Sequence, residues 1–264
     1  MIFLTEGLAK EIIAGRGEET ELSLDLGRSR RRVKRKLLLG IPLEKVRGDY
    51  IYIWNGRMLS KAAIASEHYY RLRMFSGIPV LEIDGLRMQL VKEFKTPMEY
   101  GKLVAAKLDV GKSDRVLDTC AGLGYTAIAA AARGAEVLTF EKDQNVVEIA
   151  KINPWSRELF SDEKIEFLEG DVLSGIRRMD AGRFDKIVHD PPRFSLAGEL
   201  YSLGFYRELF RVAKKGALLF HYAGNPGRGK GRSIGNGVAE RLEKAGWKKI
   251  RRVEKLQGVL ARKL

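Results

Sequence analysis

Asp190-Pro191-Pro192-Arg193 joins a carboxylate to two residues whose φ is locked near −65°. The prolines hold the carboxylate and the backbone carbonyls of the turn in one direction. A carboxylate so held can accept hydrogen bonds from a donor, orient it, or take a proton from it. Upstream, Val116-Leu117-Asp118-Thr119-Cys120-Ala121-Gly122-Leu123-Gly124 is an apolar run that enters a glycine-rich turn. Glycine lets such a turn bend tightly and approach a ligand closely. The helix that follows presents unpaired backbone N–H groups. This turn can receive a dinucleotide or the adenosyl part of S-adenosylmethionine. Gly122-Leu123-Gly124-Tyr125-Thr126-Ala127 even satisfies the dinucleotide pattern with Ala in last place.

Three further carboxylates narrow the choice. Asp118 precedes the glycines, where it would repel a pyrophosphate and suit the methionine amino group, directly or through water. Glu141 closes Leu138-Thr139-Phe140-Glu141 and can accept from both ribose hydroxyls. Asp171, in Glu169-Gly170-Asp171-Val172, can accept from the adenine amine. All three fall at the carboxyl ends of strand candidates, where open α/β sheets bind ligands. The expected cofactor set is Asp118, Cys120, Ala121, Gly122, Gly124, Tyr125, Thr126, Glu141, Lys142, Asp171 and Val172, with S-adenosylmethionine as cofactor.

The elements that must position these residues alternate from Arg115 onward. Strands are expected at 115–119, 136–140, 164–168, 185–189 and 216–222. Helices are expected at 124–133, 144–152, 172–179, 199–213 and 237–245. A strand pair at 248–256 and 258–263 closes the chain. Such alternation predicts an α/β fold: a doubly wound, mostly parallel, Rossmann-like sheet with an antiparallel hairpin at its edge. Before it, Thr96-Pro97-Met98-Glu99 opens a helix with a capping box and a proline in the first turn. Residues 1–95 read as a separate small α+β unit and 96–264 as the catalytic domain. In the first unit a helix is expected at 5–14, strands at 20–26 and 50–54, and a hairpin around Gly85. The glycine-rich basic stretch 224–237 reads as a mobile loop.

Asp118, the glycine turn, Glu141, Asp171 and Asp190-Pro191-Pro192 together resemble the ordered motifs of class I S-adenosylmethionine-dependent methyltransferases over about 96–264. The chain is similar to an archaeal RNA methyltransferase group with Asp190-Pro191-Pro192-Arg193-Phe194-Ser195. Cys120 stands where many members carry the first glycine. In that family Asp, Asn or Ser before Pro-Pro and an aromatic marks methylation of a planar, conjugated amine. The lone pair of such an amine is delocalised into the ring. A carboxylate and a carbonyl that accept from its NH₂ push density back onto nitrogen. The resemblance therefore makes Asp190, Pro191 and Pro192 catalytic. Arg193 replaces the usual aromatic and Phe194 follows it; either can stack on a flipped base. His189 and His221 end adjacent strand candidates, and His189 is placed with the substrate residues.

The implied reaction is methylation of an exocyclic base amine in RNA, with cytidine N4 in ribosomal RNA first. Guanosine N2 in tRNA or rRNA comes next, then a protein side-chain amide or small amine. A non-catalytic RNA-binding or ribosome-assembly module is the rival from another class. Aminopropyl transfer to a polyamine uses this fold but needs an acidic pocket for a polycation. Carbon-5 methylation of a pyrimidine usually needs a thiolate. Cys120 is the only cysteine, and it lies in the cofactor loop.

Charge points to the same partner. The chain carries a net +14 on 264 residues. Residues 1–95 hold 18 Lys+Arg against 12 Asp+Glu, 96–200 hold 14 against 18, and 201–264 hold 16 against 4. Basic flanks around a slightly acidic centre would hold a polyanion and present it to the centre. The candidate phosphate contacts form three runs. The first is Arg28, Arg30, Arg31, Arg32, Lys34, Arg35 and Lys36. The second is Arg228, Lys230 and Arg232. The third is Lys248, Lys249, Arg251 and Arg252. Of these, Arg31, Arg32, Arg228 and Lys230 are expected to bind substrate. The three histidines lack metal-site spacing, and no run of about 18 uncharged apolar residues is present. With no signal-peptide pattern at its start, the chain reads as cytoplasmic, without membrane or metal partners.

Overall fold

Two units partition the described residues, which are 1–90, 93–224 and 234–264, in this computed structural model. One comprises Met1–Gln89 with Asn145–Arg157, the other Leu90–Gln144 with Glu158–Leu264.

The first unit is made of short antiparallel pieces. Its elements are β1 (Ile2–Leu4), α1 (Glu6–Ala14), β2 (Glu19–Leu22), β3 (Arg31–Lys34), β4 (Tyr52–Trp54), β5 (Leu59–Lys61), β6 (Ala63–Ala65), β7 (Tyr69–Phe75), β8 (Ile78–Ile83) and β9 (Leu86–Arg87). They form a β1-β4-β5 sheet, a β2-β3 pair and a β6-β7-β8-β9 sheet. Thr5 caps α1 by accepting from the Leu8 N–H at 3.2 Å. Leu4, Ile12, Leu22 and Val33 meet in a small core. The 145–157 segment is tied into this unit by Trp155, whose indole N–H donates to the Leu26 carbonyl at 2.9 Å. Two arginines, Arg71 and Arg73, flank buried Glu82 at 2.7 and 2.9 Å.

The second unit opens with α2 (Pro97–Lys107), where Thr96 accepts from the Glu99 N–H at 3.3 Å. Glu99 reaches back to the Lys95 N–H rather than to that of the cap. Then come β10 (Arg115–Asp118), α3 (Tyr125–Ala131) and β11 (Glu136–Glu141); α4 (Gln144–Ile152) follows in the chain and belongs, from Asn145 on, to the first unit, and the second resumes with α5 (Arg157–Ser161), β12 (Ile165–Glu169) and α6 (Val172–Ile176). The unit closes with β13 (Phe184–His189), α7 (Leu203–Val212), β14 (Ala213–Tyr222), α8 (Ile234–Lys244), β15 (Lys248–Val253) and β16 (Gly258–Arg262). The sheet order is β12-β11-β10-β13-β14-β16-β15. The first five strands are parallel, and β16 runs antiparallel to both neighbours. This is a Rossmann-like, mostly parallel α/β sheet with an antiparallel hairpin at its edge.

Strand order reverses between β10 and β13. That is the switch point where an open α/β sheet leaves a crevice beyond its strand ends. Asp118 ends β10, and Asp190 follows β13 directly, so both flank the crevice. Several boundaries differ from the sequence reading, two of them in kind. The helix expected at 199–213 is a 3-10 turn (Gly198–Tyr201) followed by α7, because Ser202 caps a new helix through the Phe205 N–H at 3.1 Å. Of the stretch 224–237, residues 225–233 lie outside the described residues, and α8 already runs from Ile234.

Gly101 lets α2 lie close against α3. A Cβ there would stand 2.5 Å from the Tyr125 carbonyl oxygen. Gly101→Ala should lower stability by about 1–3 kcal/mol through overpacking. Gly7→Ala, on open ground in α1, should be neutral or raise stability by about 0.5–1 kcal/mol through helix propensity. Urea unfolding of both variants checks this pair of opposite signs.

Candidate active site

The glycine turn after β10 is shaped by backbone demands. The Ala121 N–H donates to the Phe140 carbonyl at 2.7 Å and the Gly124 N–H to that of Ala121 at 2.7 Å. Gly124 has φ +79°, and a Cβ there would meet the Leu159 side chain at 2.8 Å. Only glycine fits. Gly122 also has positive φ.

Around this turn stand three carboxylates, one wholly and two partly withdrawn from water. Asp118 is fully buried; its Oδ2 accepts from the Thr126 hydroxyl at 2.7 Å and its Oδ1 from the Cys120 N–H at 3.4 Å. Burial pushes its pKa up to about 7 against the Thr126 hydrogen bond, with the charge of Asp190 adding to the rise. Glu141 accepts from the Gly122 N–H at 2.9 Å and the Asp143 N–H at 3.0 Å; burial holds it above the usual carboxylate range. Asp190 is half-buried, and its Oδ2 accepts from the Tyr100 hydroxyl at 2.9 Å. Burial raises its pKa to about 6, opposed by that hydrogen bond. Among the described residues no Lys, Arg or His forms an ion pair with Asp118, Glu141 or Asp190. Asp171 differs. It caps α6 through the Leu173 N–H at 2.9 Å, and Lys142 lies 3.3 Å from its Oδ2.

The turn after β13 is fixed from below. Tyr201 donates its hydroxyl to the Pro192 carbonyl at 2.9 Å. Pro191 is buried, whereas Pro192 and Arg193 are exposed. Phe194 is 50% exposed and meets Tyr201 edge-on at 5.4 Å between centroids. Tyr201, Phe205 and Tyr206 are buried, so Phe194 is the one ring of this group that faces outward. Cys120 stands in the turn with its thiol pKa pushed up by burial, a poor nucleophile. Ala121, Tyr125, Thr126 and Val172 are buried; Tyr125 and Val172 begin helices and can offer backbone only. Lys142 is exposed.

His189 is corrected as a substrate residue. It is wholly buried, with Nε2 bonded to the Leu200 carbonyl at 3.0 Å and Nδ1 to the Thr119 hydroxyl at 2.7 Å. A carbonyl only accepts, so Nε2 carries the proton and Thr119 donates to Nδ1. Burial lowers its pKa to about 3; the ring is a neutral strut beneath the loop. Three residues of the first basic run are engaged by protein. Arg28 bonds the Pro154 carbonyl, Arg30 bonds the Glu21 carbonyl at 2.8 Å, and Arg35 bonds the Gly15 carbonyl. Arg31 and Arg32 are exposed on β3. Arg228, Lys230 and Arg232 lie outside the described residues. Sequence reasoning missed Tyr100 and Tyr201. Tyr100 reads as one member of an apolar helix stripe, and its hydroxyl partner lies 90 residues away.

The comparisons agree with this architecture. Residues 101–200 match the family described as Conserved hypothetical protein 95. An uncharacterized protein of Methanocaldococcus jannaschii, MJ1233, is 45% identical over 279 residues, covering 99% of this chain and 95% of its own. This chain belongs to the MJ1233 family. A shorter stretch, 33% of this chain and 22% of the relative, is 33% identical to the same organism's "Putative ribosomal RNA large subunit methyltransferase MJ1649". In fold, the chain is similar to spermidine synthase from Thermotoga maritima. The TM-score is 0.60 at 16% identity, over 80% of that chain and 83% of this one.

The Tyr100 hydrogen bond holds Asp190 ionised against burial. Tyr100→Phe should therefore raise the Asp190 pKa above its starting value of about 6. A carbon-detected NMR titration of the Asp190 carboxyl checks it. An unmoved or lowered pKa would mean that the bond is absent in solution.

Proposed function

We propose that this protein is an S-adenosylmethionine-dependent RNA methyltransferase acting on an exocyclic base amine, with cytidine N4 of ribosomal RNA as its first target. The observation that carries the reading is the Asp190 carboxylate at the switch point. One oxygen is held by Tyr100, and the other has no hydrogen-bond partner among the described residues. The similarity of part of the chain to a relative named as a ribosomal RNA methyltransferase supports RNA as the substrate.

The residues fit the cofactor. Uncompensated carboxylates suit a ligand with an ammonium and a sulfonium, and a turn that excludes a Cβ at Gly124 suits close approach. Asp118 would take the amino group, with Thr126 fixing its carboxylate. Glu141 would take the ribose hydroxyls, since each of its oxygens keeps acceptor capacity beyond its backbone bond. Asp171 and the Val172 N–H would meet the adenine. Cys120, Ala121, Gly122, Gly124 and Tyr125 would line the cradle, with Lys142 at its rim. The bound cofactor supplies an electrophilic methyl group.

This chain's residues do the rest. The free Asp190 oxygen and a carbonyl of the Asp190-Pro191-Pro192 turn accept from the NH₂ and return lone-pair density to nitrogen. Tyr100 and Tyr201 lock the two acceptors in register, so the nitrogen is held for in-line attack. The amine proton passes to Asp190 or to water as the new C–N bond forms; the methyl–sulfur bond of the cofactor would break with it, its electron pair staying on sulfur as the neutral thioether leaves. Phe194 and Arg193 offer exposed planes on which a flipped base can stack. The N-terminal region to residue 95, with Arg31 and Arg32, acts as a further RNA-binding domain ahead of the catalytic residues 96–264. Aminopropyl transfer to a polyamine is a second reading, favoured by the fold likeness to spermidine synthase.

Asp190→Ala should cut methyl transfer to RNA by about 10²–10⁴-fold and leave cofactor affinity nearly unchanged. Retained transfer, or lost cofactor binding, would show that Asp190 has another role. In the wild type with S-adenosylmethionine saturating, kcat/KM for RNA should rise tenfold per pH unit below about 6 and then level, because the carboxylate must be ionised to accept. A rate that rises as pH falls contradicts this assignment. Mass spectrometry of digested RNA from cells lacking the gene names the base; a missing polyamine in place of a missing methyl favours the second reading.

A further inference from the structure

We infer that the sheet face of β14, β16 and β15 beside α2 is a binding track for the phosphates of single-stranded RNA. The inference rests on the RNA reading above.

Side chains alternate along β14. Leu219 and His221 point toward α7, where His221 meets Tyr206 at 2.7 Å. Leu218 and Phe220 point the other way, and Tyr100 of α2 touches Phe220 edge-on at 6.4 Å. α7 and α8 pack on these strands, on the face opposite Leu218. On the α2 side a groove is left, floored by Leu218 and Leu260 and walled by Lys107, Lys249, Arg251 and Arg262. Four cations line it, and no carboxylate does. Among the described residues no acid forms an ion pair with Lys107, Lys249 or Arg251. Lys249 sits at φ +49° in a β-bulge between Lys248 and Arg251. Bulges of this kind re-aim side chains near sites.

The groove is placed to serve Asp190. Lys107 and Tyr100 are seven residues apart on α2, hence on one face, with Lys107 roughly 10 Å further along the helix. Tyr100 holds Asp190. A base delivered to Asp190 therefore leaves the phosphates of neighbouring nucleotides level with Lys107 and the hairpin. Cations without acidic partners match a phosphate chain. The apolar floor suits riboses lying flat over it. Of these residues only Lys249 and Arg251 stood out in the sequence, within a run; Lys107 and Arg262 join them through the fold.

The test is the salt dependence of binding a mixed-sequence single-stranded RNA oligomer to the full chain. Each lost phosphate contact on a single strand lowers the slope of log K against log salt by about 0.7. The triple variant Lys107→Ala, Lys249→Ala, Arg251→Ala should therefore lose about 2 from the slope. The charge-keeping variant Lys107→Arg, Lys249→Arg, Arg251→Lys should retain it, which excludes a folding defect. An unchanged slope in the alanine variant overturns the track. So does equal, groove-dependent binding of polyglutamate, which would make the partner an acidic protein. Binding is read without methyl transfer, so the two proposals fail separately. RNA held by the groove and never methylated sinks the catalytic reading and leaves the track. RNA methylated equally by both proteins with equal slopes sinks the track and leaves the catalytic reading.

Discussion

Burial of carboxylates that no cation among the described residues pairs with, at the switch point, is the constraint on which the rest of this molecule turns. Asp118, Glu141 and Asp190 are all pushed above the usual carboxylate range. A buried charge is unfavourable unless something compensates it. For Asp118 the sign can be followed. Its pKa rises from 3.8 unfolded to about 7 folded, so the folded chain binds the proton more tightly. Its contribution to stability is greatest below about 4 and is lost as pH rises toward 7. As pH rises past neutrality the site thus gains negative charge that a cationic ligand would relieve. Thr126, Tyr100 and the backbone N–H groups of the turn keep that charge tolerable by hydrogen bonding.

Helix α2 ties this constraint to the rest of the unit. Gly101 sets it close to α3, the helix that presents Thr126 to Asp118. One turn face carries Tyr100, whose hydroxyl holds one Asp190 oxygen and leaves the other without a hydrogen-bond partner among the described residues. The central parallel strands β10, β11 and β13 are buried over most of their length, which holds the strand ends rigid. Precision at Asp190 therefore derives from a helix and a sheet and owes little to its loop. Tyr201 adds the last restraint through the Pro192 carbonyl.

Much of this was legible in the residues. The strands at Val116-Leu117, Val137-Leu138 and Ile187-Val188 are buried in a parallel sheet and read as continuous apolar runs. The site carboxylates stand out because each ends such a run. The strands β5, β6 and β7 of the first unit did not stand out, since tertiary pairing supports them more than pattern does. The run at Arg30 to Lys36 read as charge alone, yet Val33 at its centre is core and three of the nearby guanidiniums bond carbonyls. His189 illustrates the other limit. Its place at a strand end suggested a pocket, but its partners Thr119 and Leu200 come together only in the folded sheet. Local spacing cannot reveal a partner that the topology supplies.

The central claim is that these carboxylates await a cation, and calorimetry of S-adenosylmethionine binding tests it most directly. At pH 6, in buffers of differing ionisation heat, binding should release protons, because the cationic ligand draws Asp118 down from about 7. Affinity should climb with pH and level above about 7, where proton release disappears. Binding that releases no protons at pH 6 and is indifferent to pH, or no binding at all, would contradict the account.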